Sequence, residues 1–411
     1  MKIVYVVPHF APDVAATGSL ATQIVKEWAK RGHTIDVVTS LPWYRKHRIE
    51  EGYEGKLVRH EDTAWGRITR LHPFPAPDKT NLIRRGLSFG GFSTVAAAVG
   101  ARGGRADVVV AMSPPLTLGA TGWAIAKARR AAYVFNVQDI FPDVAVEIGA
   151  IENRSVIRTA HALERWSYRR ADAITVLSDD LAANVRAKAD RADKVHVIPN
   201  FVDTDVIKPG PADNGYRAEF GLIGKRVVMY AGNIGLSQSL DIVIEAAEAL
   251  SHHEDVVFVI NGEGAKRKSL EERARALSNV RFIDLQAPER LPEVLAAGDI
   301  HLVPLRGGLA SSSFPSKTYS ILAAGRPLIA SIDQGSEIAR VVERAGAGIT
   351  TAPDDSTALT AAIEKLLKSP EEAQEMGRHG REYAELHVSP GSVAETYEDL
   401  FRALTSKKRN P

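Results

Sequence analysis

The feature that most constrains the fold of this chain is an alternation of short apolar runs with amphipathic segments, sustained over nearly its whole length. In the first half, apolar runs predict strands at 3–7, 35–39, 108–112, 133–137, 173–177 and 195–199. Amphipathic segments predict helices at 19–31, 116–129, 156–170 and 181–188. Near-continuous apolar strands separated by helices are typical of a parallel sheet that is covered on both faces.

The alternation breaks at residues 200–225, which are rich in proline, glycine and asparagine, and then restarts. Beyond the break, apolar runs predict strands at 227–231, 256–260, 280–283, 300–304, 328–331 and 348–351. We therefore expect two doubly wound α/β domains, at residues 1–202 and 203–389. Residues 41–75 interrupt the first domain as a long excursion, with a weak strand near Ile68.

Composition narrows the class of protein. A chain of 411 residues can bury two cores, and its net charge of +2 favours neither a nucleic-acid binder nor an acidic tail. The chain has no cysteine, which excludes disulfides, zinc–thiolate sites and thiol nucleophiles and is compatible with a reducing cytoplasm. The N-terminal apolar run is too short for a signal peptide, and no run reaches the roughly 18 apolar residues of a membrane span. We expect a cytoplasmic protein that can lie at the inner face of the cell membrane.

In open parallel sheets, ligands bind at the carboxyl ends of the strands, where the strand order reverses. With two such domains, we expect a cleft where both sets of strand ends face each other. The loop at 8–19 contains His9, and its Gly18 stands just before a helix, where backbone can approach a diphosphate. Plain helix capping is the alternative, and the dinucleotide pattern G-x-G-x-x-G is absent.

A second loop follows the strand at 133–137 and contains two aspartates. Asp139 at the strand end can position a hydroxyl or act as a base. The alternative is that Asp139 or Asp143 only caps a helix or forms a solvated ion pair. For His9, the alternative to a catalytic role is a loop histidine bonded to backbone.

The second domain repeats a design of strand, glycines and helix. Gly232, Asn233 and Gln238 follow its first strand, and Gly262 and Glu263 follow its second. Each glycine cluster alone is a weak signal, but the two together favour a ligand site.

Residues 311–329 are the strongest candidate for an anion site. A polar loop of small residues leads into a short helix at 317–324, which Gly325 and Pro327 end. Such a loop clusters backbone N–H groups at the positive end of a helix dipole, and Lys317 adds a full positive charge. These features predict a phosphate or diphosphate site. The alternative is a loop whose serines only cap the helix.

These motifs together resemble the retaining glycosyltransferases of family 4, and in particular the surface-polysaccharide, fucosamine-transferase-like branch. The resemblance rests on residues 8–19, 31–39, 138–143, 197–203, 230–238 and 315–327. It implies the GT-B fold, in which two Rossmann-like domains face each other across a cleft. It also implies that the first domain binds the acceptor, that the second binds a nucleotide-sugar, and that a final helix at 390–404 packs back on the first. Retention of the anomeric configuration, with no metal and no cofactor, is implied as well.

The chain departs from the family at four positions. Many members hold the diphosphate with an arginine and a lysine, where this chain has Asn233 and Gln238. Members commonly carry two glutamates eight positions apart, the second holding the ribose, where this chain has Ser312 and Ser320. A serine can hydrogen-bond a ribose, but without charge assistance. The positive charge then has to come from Lys317 and Arg306.

The resemblance assigns roles residue by residue. We expect Lys317 to stabilise the leaving group, Asp139 to orient the acceptor or the sugar, and His9 to assist. The acceptor hydroxyl attacks on the side from which the nucleotide leaves, and the departing phosphate oxygen takes its proton. The expected donor-binding residues are Gly18, Gly232, Asn233, Gln238, Gly262, Glu263, Arg306, Ser312, Ser313, Phe314, Pro315, Ser316 and Ser320.

The function this predicts is transfer of a sugar from a nucleotide-diphosphate donor, UDP-linked, to a hydroxyl of a glycan, glycolipid or small-molecule acceptor. Two alternatives stay open: a nucleotide-sugar 2-epimerase of the same fold, and a non-catalytic sugar-nucleotide-binding scaffold. No nucleic-acid partner is expected. Residues 78–105 mix basic and apolar side chains and can lie on an anionic bilayer. An ordinary core-facing helix with a basic outer face explains that segment equally well.

Overall fold

The computed structural model of the chain describes residues 1–13, 15–44, 48–74, 82–147, 151–309 and 317–409. The chain divides into two compact units. One comprises Met1–Asn200 and Val393–Pro411, and the other comprises Phe201–Ser392. Each is an α/β unit built on one sheet.

The sheet of the first unit has eight strands, and every strand predicted in this half is present. They are β1 Lys2–Val6, β2 Thr34–Ser40, β3 Val58–Thr63, β4 Gly66–Leu71, β5 Val108–Ser113, β6 Ala132–Val137, β7 Ala173–Val176 and β8 Val195–Val197. The strand order is β3-β4-β2-β1-β5-β6-β7-β8. All neighbours are parallel except β3 and β4. The order reverses between β1 and β5, which is where a ligand site is expected.

The excursion at 41–75 contains two strands rather than one. Ile68 lies in β4, which pairs with β2, and β3 folds back antiparallel on β4 as the sheet edge. The sequence of β3, Val-Arg-His-Glu-Asp-Thr, is polar and only half buried. Charged edge strands protect a sheet against further pairing, but they lack the apolar run by which the other strands were predicted.

The helices of the first unit cover the sheet. They are α1 Ala16–Lys30, α2 Leu82–Gly100, α3 Leu118–Arg129, α4 Asp143–Glu147, α5 Arg154–Arg170 and α6 Asp179–Lys188. Local caps set two of the starts. The Asn153 side chain accepts hydrogen bonds from the first turn of α5, and the Ser178 hydroxyl accepts one from Leu181 N at 3.2 Å ahead of α6.

Helix α2 occupies most of the basic, apolar segment at 78–105. Lys79 lies outside the described residues, as do the side chains of residues 82–88. Phe92 is buried in the core of the first unit, as the core-facing alternative expects. Across the described ranges, none of the helices combines the length and apolar character that a membrane span needs.

The second unit has a six-stranded, fully parallel sheet. Its strands are β9 Arg226–Ala231, β10 Val256–Asn261, β11 Val280–Ile283, β12 Ile300–Pro304, β13 Leu328–Ser331 and β14 Gly348–Thr351. Their order is β11-β10-β9-β12-β13-β14, so the direction of winding reverses between β9 and β12. The later helices are α7 Gly215–Glu219, α8 Asp241–Ala249, α9 Arg267–Arg273, α10 Leu291–Ala297, α11 Lys317–Ala323, α12 Glu337–Ala345, α13 Ser356–Lys368, α14 Pro370–His387 and α15 Pro390–Arg409.

Helix α15 begins in the second unit, and from Val393 onward it belongs to the first. Its aromatic residues pack against Trp28 of α1. The ring centroids of Tyr397 and Phe401 lie 5.7 and 5.6 Å from that of the indole. Glu398 lies beside them, and its Oε1 is 2.7 Å from His33 Nε2.

A buried chain of side-chain hydrogen bonds links the two segments through which the chain leaves and re-enters the first unit. Asn200 donates to Gln138 Oε1 at 2.8 Å, and Gln138 donates to Asn136 Oδ1 at 2.8 Å. Asn136 donates in turn to the Tyr397 hydroxyl at 3.0 Å and to Thr175 Oγ1 at 2.9 Å. Buried amides and hydroxyls need such partners, because an unmade hydrogen bond in the interior is costly.

Candidate functional site

The carboxyl edge of the second sheet is shaped by two glycines. Beyond the ends of β9 and β10 the ladder continues, with Gly232 N–H bonded to Asn261 O at 2.9 Å and Ile234 N–H to Glu263 O at 2.8 Å. Gly262 has a φ of 157°, and a Cβ there would lie 1.9 Å from the Gly232 carbonyl oxygen. Only glycine allows these two backbone segments to approach so closely. The two predicted glycine clusters therefore form one surface at the point where the strand order reverses.

The Lys317 side chain lies against this surface. Its Nζ is 3.8 Å from the centroid of the Tyr230 ring. Gly232 has a φ of 141°, and a Cβ there would lie 2.9 Å from Lys317 Nζ. Glycine at 232 thus leaves room for the ammonium group. The structure brings together Lys317 and Gly232, both predicted as site residues from the sequence. Tyr230, which lies beside them, was not predicted.

The Lys317 ammonium group has no carboxylate partner in the part of the chain that the structure describes. Loss of hydration lowers the pKa of Lys317 to about 7. The electron-rich face of Tyr230 offers the cation partial compensation. An anionic ligand beside Lys317 would restore its charge and raise its pKa. The arrangement is therefore suited to binding a phosphate group.

Gln238 and Asn233 have structural partners in their own loop. Gln238 Oε1 accepts a hydrogen bond from Gly235 N–H at 3.1 Å. Asn233 is exposed, and its carbonyl oxygen accepts one from the Tyr230 hydroxyl at 2.5 Å. Arg306 is exposed at the end of β12, and its N–H bonds to Ser237 O at 3.0 Å, which joins the loops after β9 and β12. The guanidinium of Arg306 lies on the surface of this edge.

Glu263 is held by an arginine that the sequence analysis missed. Arg267 Nη1 donates to Glu263 Oε1 and to the Gly262 carbonyl oxygen, each at 2.8 Å, and Arg267 Nη2 lies 2.7 Å from Asp284 Oδ1. Arg267 stands four residues after Glu263, at the start of α9. That spacing is a signal for an ion pair. Glu263 therefore braces the loop through Arg267.

Two aspartates, also missed from the sequence, hold the backbone after β12. Asp333 Oδ2 accepts from Gly308 N–H at 2.9 Å, and Asp354 Oδ2 accepts from Gly307 N–H at 3.0 Å. Asp354 also accepts from the Ser239 hydroxyl. Each carboxylate closely follows a strand, β13 or β14, at the same sheet edge. The rule that singled out Asp139 would have found both.

The remaining donor-site predictions fall in or near a gap in the described residues. Ser312, Ser313, Phe314, Pro315 and Ser316 lie outside them. Ser320 is described: it is partly buried in α11, three residues after Lys317, on the same side of the helix.

In the first unit, His9 lies at the carboxyl end of β1, beside the point where that sheet reverses its order. His9 Nδ1 is 2.7 Å from Asp13 Oδ2, and Asp13 Oδ1 accepts from Tyr44 N–H at 3.2 Å. The expected alternative of a backbone-bonded histidine is wrong, because the partner is the fully buried Asp13 carboxylate. Gly18 packs behind His9, where a Cβ would lie 3.0 Å from His9 Cβ.

Asp139 and Asp143, at the end of β6, differ in their surroundings. Asp139 is exposed and has no hydrogen bond from a described side chain, while partial desolvation raises the pKa of its carboxyl. Burial would also raise the pKa of Asp143, but hydrogen bonds from Lys188 and Asn184 outweigh it and hold that pKa below its usual value. Asp143 is thus the ion-paired member that the sequence analysis considered, which leaves Asp139 available for chemistry.

Asp143 also belongs to a group with His161 and Glu164 whose potential metal-ligating atoms lie within 4.8 Å of one another. The Lys188 ammonium donates to Asp143 at 2.7 Å and to Glu164 at 2.9 Å. One cation of the protein itself therefore already neutralises part of the negative charge of this group.

Comparison with known proteins identifies the family. Residues 17–200 match the model of the glycosyl transferase 4-like domain, and residues 225–369 match that of the glycosyl transferases group 1. The chain is 30% identical over 310 residues to the probable glycosyltransferase WbjE of Pseudomonas aeruginosa, covering 71% of this chain and 74% of that protein. The chain belongs to the GT-B glycosyltransferases.

The glycosyltransferase resembles other proteins over its full length. It is 28% identical to the putative colanic acid biosynthesis glycosyl transferase WcaI of Escherichia coli K12, over 98% of this chain and all of that protein. The sucrose-phosphate synthase of Thermosynechococcus elongatus superposes with a TM-score of 0.76 at 18% identity, covering 99% of this chain and 100% of that one. Anabaena HepE in complex with UDP-glucose superposes with a TM-score of 0.68 at 16% identity, covering 98% of this chain and 100% of that one. These likenesses confirm the predicted GT-B fold. Retention and the fucosamine-transferase-like branch stay predictions.

Gly232→Ala tests the packing of Lys317 in this glycosyltransferase. A methyl group at 232 would strain the backbone and displace the ammonium group, so we expect binding of the nucleotide-sugar donor to weaken by about tenfold or more. Gly335→Ala is a matched control, because Gly335 also has a positive φ, 74°, but a Cβ there meets nothing within 4 Å. Calorimetric titration of both variants should show weakened binding for Gly232→Ala alone. Equal affinities would contradict this packing role.

Proposed function

We propose that this glycosyltransferase moves a sugar from a UDP-linked donor, bound by the second unit, to a hydroxyl of a glycan, glycolipid or small-molecule acceptor, bound by the first. The observation that carries the proposal is the uncompensated ammonium of Lys317, which lies beside Gly232 where the strand order reverses. A diphosphate supplies the negative charge that this position lacks.

The comparisons support the identity of the substrates. Anabaena HepE was solved with UDP-glucose, which favours a uridine nucleotide as the donor. The E. coli relative is named for colanic acid biosynthesis, which favours a growing surface polysaccharide as the acceptor. Contact with an anionic membrane, where a lipid-linked acceptor would be met, is part of this proposal.

The reaction we infer is a front-face substitution that retains the anomeric configuration. The bond between the anomeric carbon and the diphosphate oxygen breaks, and Lys317 stabilises the charge that develops on that oxygen. The acceptor hydroxyl oxygen forms the new bond on the same face, and its proton passes to the departing phosphate. The chain's own residues supply the stabilisation and positioning that this route needs, with no metal ion or cofactor assigned a step.

Two residues of the first unit have positioning roles in this proposal. Asp139 is exposed and unpaired among the described residues, so its carboxylate can accept a hydrogen bond from a sugar hydroxyl. His9, with Nδ1 on Asp13, presents Nε2 as a second polar contact. Because the acceptor hydroxyl attacks the anomeric carbon directly and the departing phosphate takes its proton, neither residue has to act as nucleophile or base.

The experiment that tests this function combines binding with turnover. Thermal shift against UDP-, GDP- and TDP-linked sugars should show stabilisation by UDP-sugars. Incubation of the stabilising donor with oligosaccharide acceptors, followed by NMR, should show transfer with the donor's anomeric configuration, unchanged by EDTA. Conversion of the donor without acceptor would instead indicate an epimerase, and binding without turnover a scaffold. An inverted product or loss of activity in EDTA would overturn the mechanism.

Lys317→Met should remove most of the donor affinity. A lost charge-assisted contact of about 1.5–3 kcal/mol corresponds to roughly tenfold to hundredfold weaker binding of a UDP-sugar. In the wild type, affinity should fall as pH rises above 7, because the free enzyme's Lys317 has a pKa of about 7 and binding then requires proton uptake. Calorimetric titration from pH 6.5 to pH 9 (about one decade of affinity per pH unit at most) should show this slope in the wild type only.

The stability of the Lys317→Met variant provides an internal control. The pKa of this lysine is lower in the folded than in the unfolded chain. Desolvation of its charge therefore lowers the free energy of unfolding most below pH 7, and this loss disappears as pH rises toward the pKa of the lysine in the unfolded chain. Methionine carries no such cost, so Tm at pH 7 should rise by roughly a few degrees. Lys268→Met changes an exposed lysine of the same unit and should preserve affinity. A variant that binds UDP-sugar as tightly as the wild type refutes the assignment of Lys317.

Asp139→Asn should lower kcat by about a hundredfold while leaving the donor dissociation constant unchanged. Because desolvation raises the pKa of Asp139, the wild-type rate should begin to fall on the acid side at a higher pH than an ordinary aspartate would cause. The variant should lack that acid limb. Glu152→Gln, an exposed carboxylate of the same unit, is the control. Full turnover by Asp139→Asn would rule out its positioning role.

A further inference from the structure

One aromatic side chain of the first unit differs from the rest because it is exposed. Tyr44 is 46% exposed, whereas the other phenylalanines, tyrosines and tryptophans that the structure describes are buried or half buried. It follows β2 by four residues, at the carboxyl edge of the first sheet. Exposed apolar side chains are ordinary on a protein surface. An exposed aromatic ring at the edge where ligands bind is a candidate contact for a ligand.

The backbone that carries Tyr44 is held at three points. Leu41 N–H continues the hydrogen-bond ladder between β2 and β4, and Glu50 N–H bonds to the carbonyl oxygen of Pro42 at 2.9 Å. Tyr44 N–H bonds to Asp13 Oδ1 at 3.2 Å. Because the segment is already ordered, a ligand that stacks on the Tyr44 ring does not have to fix this part of the backbone first.

Tyr44 lies beside His9, and a buried carboxylate holds both residues. The ring centroids of Tyr44 and His9 are 5.2 Å apart in an edge-to-face arrangement, and the Trp43 ring lies 5.8 Å from the imidazole. Asp13 Oδ2 is 2.7 Å from His9 Nδ1, while Asp13 Oδ1 accepts the hydrogen bond from Tyr44. The contact with Asp13 takes up Nδ1, so Nε2 is the ring nitrogen of His9 that can meet a ligand. One carboxylate therefore fixes an aromatic ring and a polar group relative to each other.

An aromatic face beside a polar side chain suits a pyranose ring. A pyranose presents C–H groups on a face and hydroxyl groups around its rim. The C–H groups carry partial positive charge and pack on the electron-rich face of an aromatic ring, while the hydroxyls need hydrogen-bond partners. A nucleobase stacks on aromatic rings as well. In the proposed function, however, the nucleotide binds the second unit.

We propose that Tyr44 is a binding residue for the acceptor: a pyranose ring of the acceptor stacks on its exposed face, and a hydroxyl of that pyranose contacts His9 Nε2. Because the proposed function places the acceptor on the first unit, this role of Tyr44 rests on that function. It narrows the acceptor from any compound with a hydroxyl to a glycan or glycoside that ends in a pyranose. Tyr44 supplies affinity and orientation and takes no part in making or breaking a bond.

Saturation-transfer NMR tests the contact without turnover. With methyl β-D-galactopyranoside and methyl β-D-glucopyranoside as probes, the full-length wild type should transfer saturation mainly to the axial ring protons on one face. Titration should give a dissociation constant about tenfold higher for Tyr44→Ala, because the stacking surface is lost. Tyr44→Phe keeps the ring and should stay within about twofold of the wild type. Leu57→Ala is the control, because Leu57 is an apolar side chain of the same unit that is 65% exposed.

Kinetics separate this role from the proposed function. With an oligosaccharide acceptor that supports transfer, Tyr44→Ala should raise the acceptor KM about tenfold and leave the donor dissociation constant unchanged. Thermal melting should show that this variant, changed at an exposed position, stays folded. If the wild type transfers no sugar, the proposed function fails, while binding of the pyranosides through Tyr44 is still measured by NMR.

Four results would each overturn the role of Tyr44. The first is a wild type that gives no saturation transfer to either pyranoside. The second is an unchanged acceptor KM in Tyr44→Ala. The third is an equal loss of pyranoside binding in Tyr44→Phe, because the phenol oxygen and not the ring face would then make the contact. The fourth is weaker binding of the UDP-sugar donor to Tyr44→Ala with an unchanged acceptor KM, which would place a nucleobase on the ring.

Discussion

The interaction on which the carboxyl edge of the second sheet depends is the packing of the Lys317 ammonium group beside Gly232, where it forms no ion pair with any described carboxylate. A cation that loses hydration without gaining a charged partner lowers the free energy of unfolding, so the surrounding chain has to hold it in place. The ladder that continues past β9 and β10 fixes the backbone on one side, and Tyr230 lies against the charge on the other. Asp333 and Asp354 fix the loop after β12 through its N–H groups. The result is a sheet edge that is braced on both sides of a cation.

The two units build their sites by different means. In the second unit, backbone geometry dominates: glycines permit close approach, and carboxylates serve mainly to hold N–H groups. In the first unit, side chains dominate, with His9 braced by Asp13 and Asp139 standing exposed at its strand end. In the proposed function the second unit binds the donor, and a backbone-built site suits the diphosphate because that group does not vary among nucleotide-diphosphate sugars. Acceptors vary, and side chains are the part of a site that can change without altering the fold.

The sheets were predictable because most strands are buried on both faces and form continuous apolar runs, as β10 does with Val-Val-Phe-Val-Ile-Asn. Strand β3 was not predicted, because it is a charged strand at the sheet edge and has no continuous apolar run. The sequence also predicted Lys317 and Gly232 as site residues. A glycine after a strand lets backbone approach a ligand, and a lysine there supplies positive charge. Tyr230 did not stand out, because a tyrosine at a strand end is equally expected in the core. Which arginines of α5 form ion pairs could not be foreseen either, because pairing depends on where the carboxylates of other elements lie in space.

The buried chain from Asn200 through Gln138 and Asn136 to Tyr397 has a consequence for building chimeras of this enzyme. Both covalent crossings into the first unit end in the same amide network, and every member of that network belongs to the first unit. In the proposed function the second unit binds the donor, so the second unit of a relative could be exchanged into this chain by joining after Asn200 and before Val393. Junctions placed a few residues further into the first unit would remove members of the network and leave buried amides without hydrogen-bond partners.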